Sequence, residues 1–216
     1  MFSAIKSFLD KRQSTRIIDA ALTAQLKTYL EKLRTPVELV ASLDDSSKAM
    51  EMRTLLAEIV ILSDKIVLRE DGSEARTPSF SIARPGEAAR IRFAGIPLGQ
   101  EFTSLVLALL HTGGHPPKVE PEIIEQIRAI GGPLDFATYM TLSCHNCPDV
   151  VQALNLMAVV NPAISHTMID GALFLSEIDQ FKIKVVPTVH LNGQFFDQGR
   201  KTVEQYIEKI GIDLAA

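Results

Sequence analysis

The sequence predicts an α/β protein of two fused copies of one unit, each a mixed four-stranded sheet flanked by helices. Three observations carry this. Stretches with helical and strand periodicity alternate along the chain. Their order repeats, since Leu33-Arg34-Thr35-Pro36-Val37 is matched by Ile130-Gly131-Gly132-Pro133-Leu134, 97 residues later. Between the two runs lies Gly113-Gly114-His115-Pro116-Pro117, where glycines break a helix and prolines stiffen the connection. The division is therefore an extension over 1–16, a first unit over 17–114 and a second over 115–216.

In the first unit, Ile18, Leu22, Leu26, Tyr29, Leu30 and Leu33 recur at helical spacing, and Pro36 stops that helix. Val37 to Leu43 alternates as a strand. Asp44-Asp45-Ser46-Ser47 starts a helix that runs to about Leu62, with Glu51 adding acidic charge early. Lys65 to Arg69 is a short strand and Asp71-Gly72 a turn. Pro78 precedes a strand over Ser79 to Ala83, Arg84-Pro85-Gly86 turns the chain, and Ala89 to Phe93 pairs back. Leu98 to His111 is a helix with Phe102, Leu105, Val106 and Leu109 on its buried side.

The second unit repeats the grammar. Ile123, Ile124, Ile127 and Ile130 mark a helix, and Leu134 to Leu142 a strand. A helix follows from Pro148 to about Val160, where proline in the first turn is favourable because its missing N–H has no helical partner there anyway. Then come a strand over Ala163 to Ile169, a short helix over Ala172 to Phe181 and a strand entered through Val185-Val186-Pro187. Asn192-Gly193 signals a hairpin to Gln194 to Phe196, and a last helix spans about Thr202 to Ile210. Carried forward, the 97-residue offset sets Ser47 opposite Cys144 and Met50 opposite Cys147.

The bulk properties exclude several classes. A hydrophobic share of 46% and a charged share of 22% suit a globular protein with a real core. A net charge of −4 makes no electrostatic case for nucleic acid or an anionic membrane. The longest uncharged apolar run, Leu105 to Leu110, is far too short to span a bilayer. Met1 to Leu9 is interrupted by Lys6 and does not read as a secretory signal. A chain with two cysteines and no such signal belongs in a reducing, cytoplasmic compartment, where a close cysteine pair is more often catalytic or metal-binding than structural.

Those two cysteines stand in Ser143-Cys144-His145-Asn146-Cys147-Pro148, at a strand-to-helix junction. There, unpaired N–H groups and the positive end of the helix dipole stabilise a thiolate. Such surroundings lower a cysteine pKa to roughly 3.5–7.5, against about 8.5 for a free thiol. Cys144 then attacks a disulfide and Cys147, one turn on, resolves the mixed disulfide. A metal half-site and a pair of inert buried thiols are the competing readings. The first needs two further ligands, and His111, His115, His145, His166 and His190 show no paired metal spacing. His145 and Asn146 lie where they tune the thiolate. Asp44 and Asp45 read as helix-cap residues.

Several stretches together resemble the N-terminal domain of the flavoprotein (F) component of alkyl hydroperoxide reductase. They are Pro36-Val37-Glu38-Leu39, Phe93 to Gly99, Glu101 to Leu110 and Ser143 to Asn155, within a resemblance covering about Leu22 to Ile210. The resemblance implies two fused thioredoxin-like folds with a redox dithiol only in the second, Cys144 as interchange nucleophile and Cys147 as resolving partner. It implies a cis-proline loop at Val186-Pro187-Thr188, and by the repeat at Pro78, together with a chemical role for Glu101. Read by itself, Glu101 is an acidic residue favoured near a helix start. The implied partners are a peroxiredoxin and a thioredoxin-reductase-like flavoprotein region. FAD and NADH are expected on that region and not here, since the chain has no Gly-x-Gly-x-x-Gly fingerprint and no second cysteine pair. Two other functions stay open: a docking module for the peroxiredoxin, and a general glutaredoxin- or thioredoxin-like reductant.

Overall fold

A computed structural model describes residues 16–215, with side chains to residue 211. The expected extension over 1–16 lies, apart from Arg16, outside the described residues. The first unit contains α1 (Ala20–Leu30), β1 (Val37–Ser42), α2 (Ser47–Val60), β2 (Ile66–Arg69), β3 (Ser79–Ala83), β4 (Ile91–Ala94), a 3-10 turn (Gly99–Glu101) and α3 (Phe102–Thr112). The second contains α4 (Pro121–Ala129), β5 (Leu134–Met140), α5 (Cys147–Val160), β6 (Ile164–Asp170), α6 (Leu175–Gln180), β7 (Thr188–Leu191), β8 (Gln194–Gln198) and α7 (Val203–Ala215).

The four strands of each unit have the same order, β2-β1-β3-β4 and β6-β5-β7-β8. In each, the first strand pairs parallel with the second and antiparallel with the third, and the third pairs antiparallel with the fourth. The two four-stranded sheets are continuous with each other. β4 and β6 pair parallel, Ile91 opposite His166 through Ala94 opposite Ile169, which makes one eight-stranded sheet. Closing two sheets on each other removes two free edges, which otherwise expose unpaired backbone groups.

Strand alternation sorts side chains to the two faces. Leu39, Phe80, Phe93, Phe136, Met140, Met168 and Val189 share one core with α1, α2, α3, α5 and α7. On the other face Ala94, Tyr139 and Ile169 pack with Phe174, Ile178 and Phe181 around α6.

Several boundaries differ from the sequence reading. β5 stops at Met140, not Leu142, and β7 starts at Thr188, because the residues beyond those ends leave the sheet as loops. α6 is shorter at both ends, and α7 runs on to Ala215. The 97-residue offset also fails at the site. α2 and α5 both have 14 residues and begin at Ser47 and Cys147, 100 residues apart, because the β5–α5 connection is longer than β1–α2. Asp44, not Ser47, therefore stands opposite Cys144, and Ser47, not Met50, opposite Cys147.

The Gly113–Pro117 connection is docked, not free. The Gly113 carbonyl accepts from the N–H groups of Arg34 and Thr35 at 2.8 and 3.0 Å. A Cβ at Gly113 would meet Leu33 Cδ2 and lie 3.1 Å from the Leu109 carbonyl oxygen, so a larger residue there would displace the Leu33 side chain. The Thr77–Pro78, Gly132–Pro133 and Val186–Pro187 bonds are cis, and the second of these was not foreseen.

Candidate redox site

The C-terminal ends of β1, β4, β5 and β6 point the same way, so the connections that follow them gather on one edge of the sheet. After β5 the chain turns through Leu142 and Ser143, and the Cys144 N–H donates to the Thr141 carbonyl at 3.0 Å. Cys147 is the first residue of α5, one place earlier than expected, and Pro148 is the second. No side chain caps this helix, so its N-terminal dipole faces the sulfurs without a competing carboxylate cap.

Cys144 and Cys147 form a disulfide with a Cα–Cα distance of 5.5 Å. The two sulfurs differ in access. Cys147 is fully buried and Cys144 is only partly so. An incoming disulfide therefore meets Cys144 before Cys147. His145 and Asn146 are exposed between them.

The β7 approach supplies the facing loop. Cys144 Sγ lies 3.9 Å from the Val186 carbonyl, just before the buried cis-Pro187. In the reduced protein a Cys144 thiol can donate to that oxygen. Thr188 is turned away: it alternates with Val189 of the main core, and its hydroxyl donates to the Val185 carbonyl at 2.6 Å. It shapes the loop without reaching the sulfurs.

Glu101 comes from the other unit. Its 3-10 turn packs against α5, and the Gln100 N–H reaches the Leu142 carbonyl at 3.4 Å, joining the two connections directly. The Glu101 side chain is fully buried and does not cap α3. Among the described residues neither carboxylate oxygen has a hydrogen-bond partner. Burial pushes its pKa up to about 7; nearby Ser104 pulls it down in part, without hydrogen-bonding geometry, and the charge of Asp149 pushes it further up. The carboxyl can thus hold or release a proton near neutrality, beside the first turn of the cysteine helix.

The sequence reading missed two residues. Asp149, in the first turn of α5, is ion-paired with Arg200 from the β8–α7 connection. Its place three residues after Asn146 was a readable signal, whereas nothing local singles out Arg200. Among the described residues no group of three or more His, Cys, Asp or Glu gathers to hold a metal.

A buried and a partly exposed cysteine at a helix start, facing a cis-proline carbonyl, define a thioredoxin-like thiol–disulfide oxidoreductase. A thioredoxin-domain family matches residues 136–211. The NTD_N/C domain of alkylhydroperoxide reductase AhpF from Enterococcus faecalis (V583) is 30% identical with a TM-score of 0.82, over 89% of this chain and 99% of that one. The chain belongs to this family, the N-terminal thioredoxin-like part of AhpF. It is 58% identical over 200 residues to the alkyl hydroperoxide reductase F component of Pseudomonas aeruginosa, covering 93% of this chain and 38% of that protein. The corresponding Escherichia coli K12 protein is 57% identical over 195 residues, covering 90% and 37%. The chain thus spans under two-fifths of the length of these relatives.

Proposed function

We propose that this chain carries two electrons from a flavoprotein dithiol to the disulfide of a peroxiredoxin, in the cytoplasm, as part of alkyl hydroperoxide reduction. The observation that carries the reading is the Cys144–Cys147 pair, one sulfur accessible and one buried, at the start of α5. The resemblance to AhpF along nearly the whole chain supports the choice of partners.

In the dithiol form, Cys144 thiolate attacks one sulfur of the partner disulfide. A Cys144–partner bond forms, the partner's S–S bond breaks, and one partner thiolate leaves. Cys147 thiolate then attacks Cys144 Sγ and expels the second partner thiolate, leaving the Cys144–Cys147 disulfide. Two electrons have moved to the partner. A second dithiol, on the flavoprotein, reverses the sequence on this side. Glu101 accepts the thiol proton as a thiolate forms and returns one to a leaving thiolate. His145 and Asn146 tune the thiolate from the solvent side.

Flavin and nicotinamide belong to the flavoprotein region in this reading. The residues here do not fit them: the β1–α2 and β5–α5 connections contain no glycine, and a dinucleotide cradle needs close backbone approach to phosphate. No helix among the described residues is long and apolar enough to cross a membrane.

The test is a reconstituted relay of the reduced flavoprotein core, this chain and oxidised peroxiredoxin, followed by NADH consumption. Peroxide-dependent turnover above that of the core alone is expected. Turnover equal to the core alone rejects the relay, and equal rates on insulin disulfides favour a general reductant.

A further inference from the structure

We infer that Ser104 is a positioning residue for Glu101: its hydroxyl, aimed by Gln152 of the cysteine helix, donates to the Glu101 carboxylate when that group ionises. The use made of the Glu101 proton rests on the proposed function; the contact itself rests on geometry.

Glu101 immediately precedes α3, and Ser104 is the third residue of that helix. Residues three apart at a helix start lie on one face. Both are fully buried, and neither oxygen of Glu101 has a hydrogen-bond partner among the described residues. Ser104 is held from the other unit. Gln152 on α5 donates from Nε2 to Ser104 Oγ at 3.2 Å. In that bond the serine oxygen accepts, so its own proton is still to be placed. A buried hydroxyl is seldom left without an acceptor.

Inside a helix the common acceptor is the carbonyl one turn back. Thr28 and Thr54 use it, donating to the carbonyls of Ala24 and Met50 at 3.1 and 2.9 Å. Ser104 makes no such bond among the described residues; its one side-chain hydrogen bond there is the one it accepts from Gln152. The unpartnered acceptor one turn back from Ser104 is the Glu101 carboxyl. Gln152 and Asp149 border a cavity of about 500 Å³ over the seam of α3 and α5, so the Gln152 amide is held between that opening and the buried hydroxyl. Its N–H occupies the serine oxygen and leaves the serine proton for Glu101.

The charged groups around Glu101 supply no competing donor. The first turn of α3 has no ionisable residue besides Glu101. α5 presents Asp149, which is paired with Arg200. His145, in the connection that Gln100 meets, is exposed. Burial and the charge of Asp149 both raise the Glu101 pKa, and Ser104 acts against them. Without that donor the carboxyl would keep its proton through the neutral range, and an acid already protonated cannot take the proton a thiol gives up.

The test uses the oxidised protein, in which both cysteines are held in the disulfide and do not titrate. Glutamate labelled with 13C reports the Glu101 carboxyl, assigned as the signal missing from Glu101→Gln, as pH is varied. Ser104→Ala should move its midpoint up by about one pH unit, a tenfold rise in proton affinity and the scale of one hydrogen bond to a charged group. Gln152→Met, which keeps the hydroxyl and removes the group that aims it, should move it part of the way. A midpoint unmoved in both variants, or moved down, overturns the proposal and assigns the serine proton to the Gln152 amide oxygen. The second readout is the pH profile for reduction of 2-hydroxyethyl disulfide by the dithiol form. Ser104→Ala should displace its ionisation near pH 7 by the same amount, and should leave the profile unchanged when added to Glu101→Gln. The two readings fail separately. A moved carboxyl with an unmoved rate profile keeps the contact and rejects the use of Glu101 in exchange. An unmoved carboxyl, with a wild-type profile that Glu101→Gln still alters, rejects the contact and keeps that use.

Discussion

Glu101 sets two effects against each other that one substitution separates. Its carboxyl is buried without a hydrogen-bond partner among the described residues, and its pKa is raised to about 7. A carboxyl with a raised folded pKa favours the fold fully below its unfolded value, here 4.5, and loses that advantage as pH rises through about 7. Above pH 7 the charged form costs about 3 kcal/mol at 1.36 kcal/mol per pKa unit. Glu101→Gln removes the charge but buries an unpaired amide, which gives back part of the gain. The variant is expected to be about 1–2 kcal/mol more stable at pH 8, read by urea unfolding. It should also exchange disulfides more slowly and lose the ionisation near pH 7 from its rate profile. A carboxyl with only a structural role would give the stability gain and leave the rate profile alone. At the sulfurs, Cys144→Ser should abolish exchange. Cys147→Ser should trap a mixed disulfide through Cys144, visible on non-reducing electrophoresis as a covalent complex that reductant releases. The cysteine pair was legible from spacing and chain position alone. Glu101 was not: a glutamate before a helix reads as dipole compensation, and only the family resemblance pointed elsewhere, because the groups that bury it come from the other unit.

α5 brings the cysteines to the site, and a buried hydrogen-bonded chain fastens it to the sheet. Asn155 on α5, His166 on β6 and Thr138 on β5 are all buried. His166 Nδ1 lies 2.7 Å from Asn155 Oδ1, and Nε2 lies 2.8 Å from Thr138 Oγ1. An amide oxygen only accepts, so Nδ1–H donates to Asn155 and Nε2 accepts from the Thr138 hydroxyl. The ring is neutral, and burial lowers its pKa to about 3. A histidine depressed in this way contributes stability above its unfolded value of 6.5, and that contribution is lost as pH falls towards about 3. His166→Gln keeps a donor and an acceptor but does not titrate. It should be less stable than wild type at pH 7, by about 1–2 kcal/mol for an imperfectly rebuilt network. The gap should shrink or reverse by pH 4. Because the Glu101 contribution runs in the opposite direction, the readout is the difference between the two proteins at each pH. A gap that stays constant from pH 7 to pH 4 would show that His166 is not held neutral. At this scale the sequence placed the elements well and their ends less well. Periodicity marks where a side chain faces, but the end of β5 and the start of β7 depend on where the redox loops leave the sheet. The repeat offset misled for the same reason, since it holds between strands and shifts within the longer β5–α5 connection.

Two units were legible in the whole chain; their union was not. Ile91 to Ala94 reads as an ordinary buried strand, and no turn or spacing links it to Ile164 to Asp170, about 70 residues away. Yet β4–β6 pairing, the packing of α3 on α5 and one continuous core join the units. The opposite face adds Arg76 from the first unit, which donates from Nε and Nη2 to the two oxygens of Glu177 at 2.7 and 2.9 Å. Tyr139 donates to the same carboxylate at 2.7 Å. The Arg90 side chain donates to the Ala158 carbonyl, and its own carbonyl accepts from the His166 N–H. With a shared sheet and a shared core, neither unit can unfold without exposing the apolar surface of the other, so the chain is expected to unfold in one transition. Fluorescence of Tyr29, Tyr139 and Tyr206 does not report each unit separately, so the measurement is hydrogen exchange in rising urea. Amides of β1 and β5 should share one opening free energy within error. Arg76→Ala should lower that common value by about 1–2 kcal/mol, since Glu177 keeps Tyr139 and partial solvent access. If β1 opened well before β5, or if Arg76→Ala moved only one unit, the two would be separate folds in contact. Glu101 would then stand beside α5 only as long as that contact held.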